Sequence, residues 1–164
     1  MDGVPNLHRV SPILYRSAQP TAEGMAHLKD LGIKTVINLR EFHSDEDKLA
    51  GTGLKGFSVT MNAWHIDKDD AIRVLKIIND PANQPVLIHC QQGSDRTGTM
   101  CAVYRMAVEG WTKEQAVREL TDGGYGFHEI WINIKPWLEG IDIPQIRHAA
   151  GLDTAPATGP ATRP

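Results

Sequence analysis

Pro85-Val-Leu-Ile-His-Cys-Gln-Gln-Gly-Ser-Asp-Arg-Thr-Gly98 is the stretch that decides the fold. An apolar run ends at His89-Cys90, and a short glycine-containing turn then delivers Arg96 and Thr97 to the start of a helix. The five residues between Cys90 and Arg96 curl the backbone around one point, so successive N–H groups of Gln91, Gln92, Gly93, Ser94 and Asp95 face inward beside the positive end of that helix. An oxyanion fits there. The same field stabilises a thiolate on Cys90, and the Arg96 guanidinium grips two oxygens at once. Gly93 supplies either a positive φ or clearance that a Cβ would spoil.

Outward from this loop, the chain alternates strands and helices. Ile13-Leu-Tyr15, Thr35-Val-Ile-Asn-Leu39, Phe57-Ser-Val-Thr60 and Val86-Leu-Ile-His89 read as strands. Thr21 caps a helix with Met25, Leu28 and Leu31 on one face and Gly32 as its stop. Asp67 caps a helix carrying Ile72, Leu75 and Ile78, which ends near Asn79-Asp80-Pro81. The helix after the loop is expected from Thr97 to Gly110. Thr112 with Gln115 makes a capping box. Ile130 to Leu138 reads as a last apolar segment, helical up to a break at Pro136. Such alternation predicts an α/β fold: a mostly parallel central sheet flanked by helices on both faces, with the ligand at the carboxyl ends of the strands, where Cys90 falls.

The run around Cys90 resembles the signature His-Cys-x5-Arg-(Ser/Thr)-Gly of the cysteine-dependent protein tyrosine and dual-specificity phosphatases. Leu14-Tyr-Arg-Ser-Ala-Gln-Pro20 and Leu31-Gly-Ile-Lys-Thr-Val-Ile-Asn-Leu-Arg40 resemble the opening segment of the compact atypical members found in bacteria, fungi and plants. The resemblance covers about residues 4 to 145. It implies that Cys90 attacks phosphorus and becomes a cysteinyl-phosphate that water hydrolyses, while Arg96 and the amides of Gln91 to Arg96 hold the equatorial oxygens. It also implies that His89 orients the cysteine from behind, that the Thr97 hydroxyl stabilises the departing thiolate, and that no metal or other cofactor takes part.

Two aspartates compete for the role of the acid that protonates the leaving oxygen. Many such phosphatases carry it on a loop well before the cysteine, which points to Asp67, although a helix cap explains Asp67 equally. Asp95, directly before Arg96, is the favoured alternative. A carboxylate about 5 Å from a phosphate is repelled by roughly 3 kcal/mol per unit charge at an effective dielectric of 20, so Asp95 either carries the transferred proton or points away. Asp45 and Asp69 rank below them, and Asp45-Glu-Asp47 reads as a solvated face. His128, in a glycine-rich turn, and Trp64 with His65 are candidates for the pocket border. Arg40 is a candidate second anion site or structural ion pair.

With 164 residues, 41 % of them hydrophobic, the chain is expected to form one catalytic domain over residues 1–148, followed by a disordered tail over 149–164. A net charge of −3 argues against nucleic acid as a partner, and no apolar run approaches the ~20 residues of a membrane span. The N-terminus lacks the pattern of a signal peptide, so the cytoplasm is the expected compartment. Two cysteines do not form a disulfide framework; Cys101, among Met100, Val103, Tyr104 and Ala107, reads as core. The expected substrate is a phosphorylated protein or small phosphomonoester, aryl phosphates first, because Gln91, Gln92, Ser94 and Asp95 offer no cation to a polyanion. A phosphoinositide or inositol phosphate is the enzymatic alternative and a phosphate-binding module the non-enzymatic one. A monomer is favoured.

Overall fold

A computed structural model describes residues 1–153 of the chain. Its sheet contains β1 (His8–Arg9), β2 (Leu14–Ser17), β3 (Thr35–Asn38), β4 (Lys55–Ser58) and β5 (Val86–His89), in the order β1-β2-β5-β3-β4. β5 lies at the centre, parallel to β2 and β3; β4 is parallel to β3, and only the two-residue β1 runs antiparallel. The sheet is therefore mostly parallel, as the alternation predicts.

Period-two alternation divides the apolar residues between two cores. Val86 and Ile88 of β5 and Ile37 of β3 face the larger one, beneath α3 (Lys68–Asn79), α4 (Asp95–Ala107), α5 (Lys113–Asp122), α6 (Ile134–Gly140) and α7 (Ile143–Ala149). Leu87 and Val36 face the other side, against Met25 and Leu28 of α1 (Ala22–Asp30). β5 is thus covered on both faces, which explains why its sequence is an unbroken apolar run.

The caps follow local chemistry. The Thr21 hydroxyl accepts from Gly24 N–H at 3.0 Å, Asp67 Oδ1 accepts from Asp69 N–H at 2.9 Å, and Thr112 with Gln115 closes its reciprocal box. Cys101 lies in the core as expected, whereas Leu31 turns outward past the end of α1.

Several expected boundaries shift. β4 begins at Lys55 because its register is set by Thr35, and the apolar Val59 and Met61 lie beyond it, donating to the carbonyls of Asn38 and Leu39. α4 starts two residues before Thr97. Pro136 begins a helix instead of ending one: it sits in the first turn of α6, where the N–H it lacks would have no intrahelical partner. β1, the short α2 (Glu46–Leu49) and α7 have no counterpart in the sequence reading. Ala150 and Leu152 pack into the larger core, beyond the expected domain boundary; the remainder of the expected tail, from residue 154, lies outside the described residues.

Candidate active site

β5 ends at His89, and the chain turns through Gly93 into α4, leaving Cys90 nearly buried at the carboxyl edge of the sheet. Gly93 has φ +74° and lies hard against β2: a Cβ there would stand 2.5 Å from the carbonyl carbon of Ser17 and 2.6 Å from Ala18 N. A positive φ and contact with β2 both demand glycine here. Arg16, fully buried on β2, donates from Nη2 to Gly93 O at 2.8 Å, and Gln19 N–H donates to Gln91 O. The resemblance's opening segment therefore clamps the loop from below.

A cavity of about 320 Å³ opens over this loop, lined by Cys90, Gln91, Gln92, Asp95 and Arg96 together with Ala63, His128, Ile130 and Trp131. Gly93 and Ser94 are buried beneath it, and the buried Thr97 hydroxyl has no hydrogen-bond partner among the described residues. Arg96 is the one arginine or lysine of the lining. The opposite wall is apolar. Trp131 forms it and is braced edge-on by the exposed Trp64, with ring centroids 4.7 Å apart. Asn133 Nδ2 donates to Ala63 O at 2.8 Å, tying that wall to the segment before α3.

The two expected acids separate cleanly. Asp67 is exposed, is bonded to Asp69 N–H as a cap and does not line the cavity. Asp95 does line it, yet both its oxygens are engaged by one residue: His128 N–H donates to Oδ1 and His128 Nδ1 to Oδ2, each at 2.9 Å. His128 thus belongs to the site, whereas His65 stands in an isolated bridge with Asn62 and is absent from the lining. Ile130 and Trp131, which read in sequence only as part of an apolar segment, and Ala63 are the lining residues that sequence reasoning misses.

Asp45 requires a correction. It is buried, not part of a solvated face, because it serves the residue before the nucleophile: His89 Nε2 donates to Asp45 Oδ2 at 2.6 Å, and Gln19 Nε2 to Oδ1 at 2.9 Å. Burial alone would raise its carboxyl, but the His89 and Gln19 hydrogen bonds, with Lys48 3.7 Å away, hold it below the usual carboxylate range. The missing clue was His89 itself, since a buried imidazole needs a partner at each nitrogen. Its Nδ1 lies 3.3 Å from Cys90 O. Arg40 donates to Gln19 Oε1 at 2.8 Å; burial and the neighbouring Arg96 charge lower its guanidinium, opposed by Asp45 and Cys90. It stands beside the loop without lining the cavity.

Strand, loop, helix and buried clamp are the arrangement that the signature at Cys90 requires, and the sequence model of the tyrosine phosphatase family matches residues 4–143. The chain belongs to the tyrosine phosphatase family. Within it, the chain is similar to the dual specificity protein phosphatase TpbA of Pseudomonas aeruginosa: 35 % identity over 147 residues, covering 88 % of this chain and 66 % of that protein. It therefore spans slightly less than two thirds of that relative's length. The crystal structure of a cysteine-to-serine variant of TpbA in complex with pTyr superposes with a TM-score of 0.79 at 34 % identity, covering 89 % of this chain and 90 % of that one. The core catalytic domain of the PP-IP phosphatase SIW14 from S. cerevisiae gives 0.76 at 28 % identity, covering 90 % and 92 %. Inositol diphosphatase DSP3 of Arabidopsis thaliana is 28 % identical over 153 residues, covering 87 % of this chain and 72 % of that protein. Among the described residues, no helix is long and apolar enough to cross a membrane.

Proposed function

We propose that this tyrosine phosphatase family member hydrolyses phosphomonoesters through a cysteinyl-phosphate on Cys90, with aryl phosphates such as phosphotyrosine as its preferred substrates. The observation that carries the proposal is the meeting of Cys90, Arg96 and the amino end of α4 in one cavity. In the first step Sγ attacks phosphorus in line while Arg96 and the loop amides hold the equatorial oxygens. Water then displaces the thiolate, which the Thr97 hydroxyl stabilises; in support, that buried hydroxyl has no other hydrogen-bond partner among the described residues. Proton transfer belongs to the Asp95 side of the cavity, because Asp67 is spent on a cap outside it.

The lining supports the substrate class. An aryl ring entering above Cys90 meets Ala63, Ile130 and Trp131, and one phosphate meets one guanidinium. The complex of the TpbA variant with pTyr agrees with that reading. Arg40 favours a second one, an inositol phosphate carrying more than one phosphate, since its charge stands close enough to Arg96 for the two to repel; relatives named inositol diphosphatases fit this alternative. The partner is a phosphorylated protein or small molecule, and the enzyme acts as a monomer. Cytoplasmic placement belongs to the same proposal, because the mechanism needs Cys90 reduced.

The test is hydrolysis of para-nitrophenyl phosphate in the presence of a chelator, with vanadate as inhibitor. Cys90→Ser should abolish turnover yet retain phosphate binding, and Arg96→Lys should be severely impaired because a point charge does not replace the bidentate fork. Full activity in Cys90→Ser contradicts the mechanism. A panel of phosphotyrosine peptides, phosphoinositides and inositol polyphosphates then decides the class: a hundredfold preference for a lipid or inositol polyphosphate overturns the aryl assignment.

A further inference from the structure

We infer that the proton in this reaction is carried by His128, with Asp95 as the residue that positions it; the inference rests on the phosphatase reading above. Asp95 accepts at both oxygens, from His128 N–H and from Nδ1, so its carboxylate is committed to holding this one residue. Because Nδ1 is bound to Asp95, Nε2 lies on the opposite edge of the ring. It makes no hydrogen bond among the described residues, and the imidazole lines the same cavity as Cys90 and Arg96. At 45 % exposure the side chain is open to substrate.

The turn that carries His128 is fastened to the phosphate loop at several points. Ser94 Oγ donates to Tyr125 O at 2.8 Å, Asn6 Nδ2 donates to the same carbonyl at 3.1 Å, and the buried Arg16 guanidinium lies 3.9 Å over the Tyr125 ring. Gly126, at φ +82°, passes so close that a Cβ would stand 3.2 Å from Ser94 Oγ. Arg16 and Ser94 therefore link the loop that holds phosphate to the turn that presents the imidazole.

As the Cys90 Sγ–phosphorus bond forms and the ester P–O bond breaks, Nε2–H of the imidazolium gives its proton to the leaving oxygen, releasing the alcohol. Water then attacks the cysteinyl-phosphate and gives a proton to Nε2. The S–P electron pair returns to Sγ as thiolate, inorganic phosphate leaves, and the imidazolium is restored. An imidazole exchanges protons readily in both directions near neutral pH, so one side chain serves as acid and then as base.

The test compares a dinitrophenyl phosphate, whose leaving group needs little protonation, with an alkyl phosphate, whose leaving group does. His128→Asn keeps an amide N–H for Asp95 but transfers no proton. It should lose about a hundredfold or more in kcat/KM on the alkyl ester while changing only a few-fold on the activated one. Added imidazole should restore alkyl turnover in His128→Ala, a rescue that a purely structural role would not allow. Asp95→Asn should lose in the same direction but less. Equal losses on both substrates in His128→Asn, no loss, or a leaving-group effect confined to Asp95→Asn would overturn the assignment. Activity surviving in Cys90→Ser is a different outcome, one that removes the phosphatase reading and this inference with it.

Discussion

His89 Nε2 and Asp45 Oδ2 stand 2.6 Å apart, both buried, and so tie the amino end of α2 to the residue that precedes the nucleophile. The contact joins segments far apart in sequence: β5 supplies the histidine, while the loop after β3 supplies the carboxylate. The pair stands beside the start of the loop, with His89 Nδ1 3.3 Å from Cys90 O. Removing the carboxylate charge leaves His89 and Gln19 with a weaker acceptor.

Asp45→Asn should cost about 2 kcal/mol, the range of a buried hydrogen bond to a charged group. The sign of the pH dependence follows from the lowered carboxyl of Asp45. With the folded value below the unfolded one, near 3.9, its stabilisation is complete above about pH 4 and disappears as pH falls through the folded value. Urea midpoints followed from neutral pH to about pH 3 should fall more steeply in the parent protein than in Asp45→Asn. Equal slopes would remove Asp45 from the acid sensitivity of the fold.

Gly93→Ala should damage activity more than stability. A left-handed residue with a Cβ costs about 1–2 kcal/mol, and the new methyl would press on the Ser17–Ala18 backbone 2.5 Å away. Relief requires the loop to lift off β2, which displaces the amides that hold phosphate. A loss of about a hundredfold in kcat/KM is expected, the scale of a misplacement near 1 Å. Thermal melts alongside the kinetics separate this from unfolding, and unchanged kcat/KM would show that the loop tolerates the shift.

Asp67→Asn should leave the dependence on leaving group untouched. Its oxygen accepts from Asp69 N–H and faces solvent, so the loss is at most that of a cap, about 1 kcal/mol, and less with asparagine in its place. A steeper dependence on the leaving group in this variant would return the acid to the segment before α3.

The central sheet, the loop and the helix after it were legible because local chemistry encodes them: an unbroken apolar run, a glycine at a forced turn, hydroxyls and carboxylates at helix starts. Asp67 could be read both as a cap and as an acid, and only its position outside the cavity separates the two. What escaped the sequence depends on contacts between distant segments. Nothing near Asp45 shows that it is buried against His89, and an acidic run ordinarily faces water. His128 stood out as a histidine in a glycine-rich turn, but its pairing with Asp95 requires α5 to return the chain to the loop. Ile130 and Trp131 looked like the start of a helix, whereas Pro136 delays that helix and leaves both residues on the cavity wall. α7 carried a readable signal in Asp142 followed by Pro144: Asp142 Oδ1 accepts from Gln145 N–H at 2.9 Å.

An acid quench during turnover of an aryl phosphate, followed by mass spectrometry of the peptides, tests directly whether Cys90 carries the phosphate. The phosphate adduct should appear on the peptide carrying Cys90 and be absent in Cys90→Ser. Cys101, whose thiol is pushed up by burial in the core of α4, should remain unmodified. An adduct on another residue, or turnover that continues in Cys90→Ser, would contradict a mechanism built on the thiolate at the end of β5.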